Sequence, residues 1–309
     1  MILITGISGG LAQRVAQRLL ERGEDVVGVD YRESRRLPSD LTNMPIYRAS
    51  YNKTALEDVF RKHRFDSVLH LGRVASMRVE RAKRFDLNVL GTQKLMNLCV
   101  THGVKNLVVL STFHIYGADP LNHTPIAEDD PIRAGYEFRA IADAIQLDNM
   151  ATTWIYQHRE VRTVVLRPTN VIGPSIQNTI SQFIRMEHVP YLAGFDPMMQ
   201  FIHEEDLGAA VVAALDGDAY GVFNLAGPDV IPWRTALRLA KTKAFPVPTA
   251  LSRFIVRTFA LFPSYLVNFY KYPCVITDAL FRKTFGWEPK VGVREAIESA
   301  VAKARARRQ

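Results

Sequence analysis

The first thirty residues constrain the fold more than any other stretch. MILIT (1–5) is a short apolar run that ends in a glycine loop, TGISGGLA (5–12). LAQRVAQRLLERG (11–23) follows with helical periodicity, Val15, Leu19 and Leu20 sharing one face, and it stops at Gly23. DVVGVD (25–30) reads as a second strand. PIYRAS (45–50), SVLHLG (67–72), NLVVLST (106–112) and TVVLRP (163–168) read as further strands, with helices between them at about 53–63, 84–102 and 134–158. Strands that are continuous apolar runs belong to a parallel sheet covered on both faces. The alternation predicts an α/β protein with a Rossmann-like, doubly wound sheet.

After Pro168 the pattern changes. Strands shorten and helices dominate from about 233, which predicts a smaller, mostly helical lobe. The expected division is a nucleotide-binding domain over 1–167 and a substrate lobe over 168–309. Within the second part, about 198–225 is expected to pack back on the sheet, with MMQFIHEEDLGAAVVAAL (198–215) a strand followed by a helix.

In that setting the glycine loop predicts a phosphate site. Gly6 would allow the tight turn, Gly9 a close backbone approach to a pyrophosphate, and Ala12 close helix–strand packing. The anion would sit on the helix N-terminus, where free N–H groups and the dipole favour it. Asp30 ends the second strand, where a carboxylate can accept hydrogen bonds from both hydroxyls of an adenosine ribose. It would repel a 2′-phosphate, so NAD is expected as cofactor in preference to NADP. Arg32 is read as a solvated loop charge.

Composition excludes several other classes. Of 309 residues, 48% are hydrophobic and 23% charged, as in an ordinary globular protein rather than a disordered one. The two cysteines, Cys99 and Cys274, make no disulfide framework or metal cluster, and reduced, buried thiols suit a cytoplasmic location. The net charge of +8 is spread over YRESRR (31–36), RVERAKR (78–84) and the tail KARARRQ (303–309) without interleaved aromatics. That argues against nucleic acid and fits a surface attracting phosphate-bearing small molecules. No run of 18 apolar residues predicts a membrane span; the nearest, 254–270, is interrupted by Arg257 and Pro263. The segment 248–273 reads as lobe core, or as an apolar pocket wall or peripheral membrane face edged by Arg253, Arg257 and Lys271. His70, His114 and His203 have no partners at metal-ligand spacing, so no metal is expected. His70 would pack or bond a backbone carbonyl, and His203 would order a helix start with Asp206.

The motifs taken together resemble the extended short-chain dehydrogenase/reductases, in the branch of NAD-dependent nucleotide-sugar epimerases and dehydratases. TGISGGLA, VLHLG (68–72), NVLGT (88–92), LSTFHIYG (110–117), Tyr136, RPTNVIGP (167–174), FIHEEDL (201–207) and FNLAGP (223–228) carry the likeness, in order, over about residues 1–300. The resemblance implies that Gly6, Gly9, Gly10 and Leu11 contact the pyrophosphate. Leu71, Gly72 and Arg73 would line the adenosine side, Asn88 would support the helix beside the cofactor, and Pro168 would touch the nicotinamide. Thr112 would bond a substrate hydroxyl or carbonyl, with His114 near it, and Asn170 would help hold the substrate. Tyr136 would be the acid/base. The same likeness suggests a homodimer formed through helices 84–102 and 134–158.

Three positions depart from the family pattern. A tyrosine with a pKa near 10 is a poor base at neutrality, and the family places a lysine four residues on, one helical turn away. Here that position is Ala140, with Arg139 as a less suitable cation. Met199 stands where the family keeps an arginine for a nucleotide diphosphate, which points to a substrate less polar than a nucleotide sugar. Ala49 stands where an aspartate usually meets the adenine amine. Two functions stay open: an NAD-dependent oxidoreductase or epimerase, or a catalytically impaired NAD-binding protein acting as sensor or assembly subunit.

Overall fold

The computed structural model describes residues 1–32, 38–51, 53–76, 79–249 and 266–306; the side chains at 136, 137, 303 and 304 lie outside that description. So does 250–265, most of the apolar segment, together with Arg253 and Arg257, and so do residues 33–36 of the YRESRR cluster.

The apolar runs assemble as one seven-stranded parallel sheet. Its strands are β1 (Ile2–Thr5), β2 (Val26–Asp30), β3 (Ile46–Arg48), β4 (Ser67–His70), β5 (Asn106–Leu110), β6 (Arg162–Pro168) and, later in the chain, Gly221–Leu225. Their order across the sheet is Gly221–Leu225, β6, β5, β4, β1, β2, β3. β1 is buried along its whole length because it pairs with β2 on one side and β4 on the other. The chain reverses its winding between β1 and β4, and the crevice beyond those strand ends is where a doubly wound sheet receives ligands.

Helix α1 (Gly10–Glu21) buries Leu11, Ala12, Val15, Ala16 and Leu19 against the sheet. Gly23 ends the segment with φ of +79°, a left-handed conformation that glycine adopts at no steric cost. Helix α2 (Thr54–Lys62) follows β3. The span expected as a helix over 84–102 is α3 (Arg81–Phe85), a π-type stretch at Asp86–Leu90 and α4 (Gly91–Thr101).

The long helix expected over 134–158 is broken. A four-residue turn, α5 (Ala134–Glu137), ends at Phe138, where φ is −113° and ψ is 68°; a 3₁₀ turn (Arg139–Ile141) precedes α6 (Ala142–Gln157). The cause is on the neighbouring helix. The Arg139 carbonyl accepts from Arg81 Nη2 at 3.0 Å and the Ala140 carbonyl from Arg84 Nη2 at 2.7 Å. In an unbroken helix those carbonyls would accept from N–H groups four residues on. Tyr136 and residue 140 therefore lie on separate turns, and their i, i+4 relation does not apply.

Beyond β6 the chain forms β7 (Asn170–Ile172), α7 (Thr179–Ile184), β8 (His188–Leu192), β9 (Met198–His203), α8 (Glu204–Asp216) and β10, the Gly221–Leu225 strand. β11 (Val230–Pro232), α9 (Trp233–Leu239), β12 (Lys243–Val247), α10 (Leu266–Phe269), α11 (Ala279–Phe285) and α12 (Val293–Ala306) complete it. β10 extends the main sheet beside β6. α8 is tied to α1 by Arg14 and Arg18, which pair with Glu205 at 2.8 and 2.7 Å. The lobe's core joins Phe183, Trp233, Tyr270 and Ile297 to Phe113, Tyr116 and Ile141 from the sheet side, so the two cores are continuous.

Under the β5 and β6 ends lies a buried polar network. Asp148 accepts from Arg167 Nη2 at 2.7 Å, from Arg167 Nε at 3.0 Å and from the Ser111 hydroxyl. Arg167 also donates to the Tyr116 hydroxyl oxygen at 2.8 Å. Burial pushes the Tyr116 pKa up to about 12, against the Arg167 charge and hydrogen bond, which pull it down. Among the described residues no helix is long and apolar enough to cross a membrane, and no group of His, Cys, Asp and Glu could hold a metal ion.

Candidate active site

The glycine loop turns as its residues require. Gly6 has φ of +76°, and a Cβ there would lie 2.5 Å from the Gly72 Cα, so the loops after β1 and β4 touch backbone to backbone. Gly9 N–H closes the turn onto the Gly6 carbonyl at 2.8 Å. Helix α1 begins at Gly10 with no side-chain cap and no acidic residue in its first turn. Its leading N–H groups and dipole remain available to an anion. The Ser8 hydroxyl beside them is buried without a partner among the described residues. Tyr51 is buried under the same loops, its hydroxyl against Gly72, and burial raises its pKa.

Asp30 is 1% exposed. Its Oδ2 accepts from Ser8 N–H at 3.0 Å and its Oδ1 from Arg32 N–H at 2.9 Å. The Arg32 side chain, expected as a solvated loop charge, is about half exposed and also pairs with Asp30, Nε to Oδ1 at 3.3 Å. A loop with an uncapped helix start, an orphaned hydroxyl and a buried carboxylate at the end of β2 fits a dinucleotide such as NAD. Leu11, Gly72 and Asp30 border this region, and Ala49 is buried beside the end of β2, its N–H on the Asp30 carbonyl at 3.0 Å.

A second feature opens at the ends of β4, β5 and β6. Arg73, Thr112, His114, Pro168, Asn170 and Met199 line one cavity. Arg73, expected on the adenosine side with Leu71 and Gly72, lines this cavity together with Thr112. The Thr112 Oγ1 and His114 Nδ1 lie 2.8 Å apart in a hydrogen bond. Burial, helped by the Arg73 charge, holds the His114 pKa down to about 3, so the imidazole is neutral. Asn170 Nδ2 donates to the Gln200 carbonyl at 3.0 Å. Ile180, Met198, Met199, Leu266, Phe269 and Tyr270 form the apolar wall on the lobe side.

Asn88 braces the cleft from behind. Its amide exchanges two hydrogen bonds with the Val74 backbone, at 2.8 and 2.9 Å, and donates to Asp143 Oδ2 at 2.6 Å. Arg84, 3% exposed, lies 3.5 Å from the same carboxylate. Tyr136 belongs to α5, and its side chain is outside the described residues. Arg139 is exposed. His70 bonds the hydroxyls of Thr5 (2.7 Å) and Thr92 (2.8 Å) rather than a carbonyl, and burial lowers its pKa to about 4. His203 caps α8 through the Glu205 N–H, while Asp206 takes the N–H groups of Lys290 and Val291.

Sequence reasoning did not find one interlobe contact. Glu204, fully buried, accepts from the Ser175 hydroxyl at 2.6 Å and from Ser175 N–H at 3.1 Å. Ser175 in turn packs on Gly10. The only local signal was an acidic run, Glu204, Glu205 and Asp206, directly after an apolar strand.

Sheet order, glycine loop and buried acid define a Rossmann-type nucleotide-binding protein with a cleft at the switch point. The chain belongs to the NAD dependent epimerase/dehydratase family, whose model matches residues 2–226. An uncharacterized protein of Mycobacterium tuberculosis is 28% identical over 258 residues, covering 80% of this chain and 68% of that one. The UDP-glucuronate 4-epimerase of Thermodesulfobacterium geofontis is 25% identical, covering 97% and 94%. In fold the chain is similar to Thermus thermophilus UDP-glucose 4-epimerase solved with NAD (TM-score 0.78, 22% identity, 98% of each chain). It is likewise similar to Pal of Bacillus thuringiensis (TM-score 0.81, 20% identity, 99% of each).

Proposed function

We propose that this chain binds NAD and is an oxidoreductase or epimerase, with Thr112 and Tyr136 relaying the proton. The observation that carries this reading is the cavity that gathers Thr112, His114, Asn170 and Pro168 at the strand ends, with Arg73 on its lining following Gly72, which touches Gly6 of the glycine loop. Gly6, Gly9, Gly10 and Leu11 would hold the pyrophosphate, Asp30 the adenosine ribose, and Pro168 would border the nicotinamide. Bound NAD supplies the hydride acceptor; the protein supplies orientation and proton movement.

Neutral His114 serves Thr112. In its Nδ1–H tautomer the ring donates to the Thr112 oxygen and leaves the hydroxyl proton free for a substrate oxygen. Arg73 is the one charged side chain among the described residues lining the cavity. Its guanidinium is a positive charge facing the cavity, whereas residue 140, an alanine, offers none. The lobe-side wall of methionines, aliphatics and aromatics suits a substrate less polar than a nucleotide sugar.

Ala140 favours a second reading, an NAD-binding protein without turnover. The two separate in one assay: NAD-loaded protein is presented with nucleotide sugars and with less polar secondary alcohols, and NADH absorbance is followed. Reduction that is lost in Tyr136→Phe and cut by about 10²-fold or more in Thr112→Val supports the enzyme. NAD binding with neither NADH formation nor epimerised product from any compound supports the second reading, since an epimerase reoxidises its NADH within each turnover.

A further inference from the structure

Asp30 offers its carboxylate to a ribose only if something lets go of it. Both oxygens are already engaged. Ser8 N–H holds Oδ2 at 3.0 Å and Arg32 N–H holds Oδ1 at 2.9 Å, and these backbone donors leave further acceptor sites on each oxygen. The Arg32 side chain occupies those sites, with Nε 3.3 Å from Oδ1 and Nη2 3.5 Å from Oδ2. The carboxylate is 2% exposed, whereas the arginine side chain is 52% exposed. The carboxylate is therefore fixed and the guanidinium can leave. The Tyr31 ring, 5.5 Å from the guanidinium carbon, backs it from one side.

We propose that Arg32 is an internal competitor for the ribose carboxylate, one that opposes NAD and supplies the cation for a 2′-phosphate. The inference rests on the NAD-binding reading and adds cofactor selectivity to it. A ribose diol and the guanidinium compete for the same two oxygens, so NAD binding includes the cost of releasing Arg32. A 2′-phosphate meets the opposite situation. The charge of Asp30 that would repel it is matched by a neighbouring guanidinium suited to bidentate phosphate contact.

The two cofactors should respond to loss of Arg32 with opposite signs. The parent, Arg32→Gln and Arg32→Lys are titrated calorimetrically with NAD and with NADP at low salt, and their melting temperatures are compared to verify folding. In Arg32→Gln, NAD should bind about two- to fivefold more tightly, the release of a half-exposed ion pair. NADP should bind about tenfold or more weakly, the loss of a charge-assisted phosphate contact. Arg32→Lys should keep more of the NADP affinity than Arg32→Gln does. The NADP difference should shrink in about 0.5 M salt. NAD affinity that is unchanged or weaker in Arg32→Gln, or an unchanged ratio of the two cofactors, overturns the proposal while leaving NAD binding intact. Failure of the folded parent and both variants to bind either dinucleotide overturns the cofactor reading and this proposal with it.

Discussion

Gly10 explains itself by its neighbour 165 positions away. A Cβ on Gly10 would lie 2.3 Å from the Ser175 Oγ, 2.7 Å from the Ser175 carbonyl oxygen and 2.8 Å from its Cβ. Ordinary contact begins near 3.4 Å, so Gly10→Ala falls short of it by about 0.6–1.1 Å at three atoms. Ser175 cannot simply turn away, because its hydroxyl and N–H both hold buried Glu204. Overpacking of this kind costs about 1–3 kcal/mol, and loosening the Glu204 contacts adds about 1 kcal/mol. Alanine returns about 0.5–1 kcal/mol of helix preference. The net expected loss is about 2 kcal/mol, or about 3 °C in Tm for a chain of this size. Thermal unfolding followed by circular dichroism measures it. Against a Ser175→Gly background the same substitution should cost at least about 0.5 kcal/mol less, since two of the three clashing atoms are gone. NAD affinity should fall with stability in Gly10→Ala, because the start of α1 is displaced. A Gly10→Ala protein as stable as the parent would refute the close interlobe packing and leave phosphate approach as the only role for this glycine.

Three further outcomes are expected. Asp30→Ala should weaken NAD binding by about 30-fold or more, two charge-assisted hydrogen bonds less the release of Arg32, whereas Ala140→Lys should not weaken it; calorimetry that finds Asp30→Ala binding like the parent rejects the ribose assignment. Asp148→Ala strands Arg167, which is 3% exposed, and should cost about 3–5 kcal/mol in urea unfolding; a shift under 1 kcal/mol would mean that the network contributes little. Acid should destabilise the fold through two imidazoles, buried His70 and partly buried His114. Their folded pKa values, about 4 for His70 and about 3 for His114, lie below the ordinary 6.5. The unfolded chain therefore takes up protons first: the stabilisation is complete above pH 6.5 and is lost as pH falls through the folded values. Urea midpoints at pH 7.5, 5.5 and 4.5 should descend, and less steeply in His70→Asn; parallel slopes for both proteins would remove His70 as a cause.

The sequence by itself determined what is local and periodic. The apolar run Ile2–Thr5, the glycine turn and the spacing to Asp30 follow from strand, turn and helix preferences that adjacent residues satisfy among themselves. Those preferences placed the glycine loop, the buried acid at the end of β2 and the family motifs. Tertiary structure decided what depends on partners distant in the chain. The helix expected over 134–158 breaks because Arg81 and Arg84, more than fifty positions earlier, capture the carbonyls of Arg139 and Ala140. Arg73 faces the cavity with Thr112 because β4 and β5 are neighbours in the sheet. Arg32, though half exposed, pairs with Asp30 because a carboxylate buried at a strand end draws the nearest cation. Ser175, held by Glu204, meets Gly10 only once the later part of the chain folds back. Hydrophobic period is written along the chain, whereas the pairing of charges and the fit of one backbone against another exist only when separate elements are brought together.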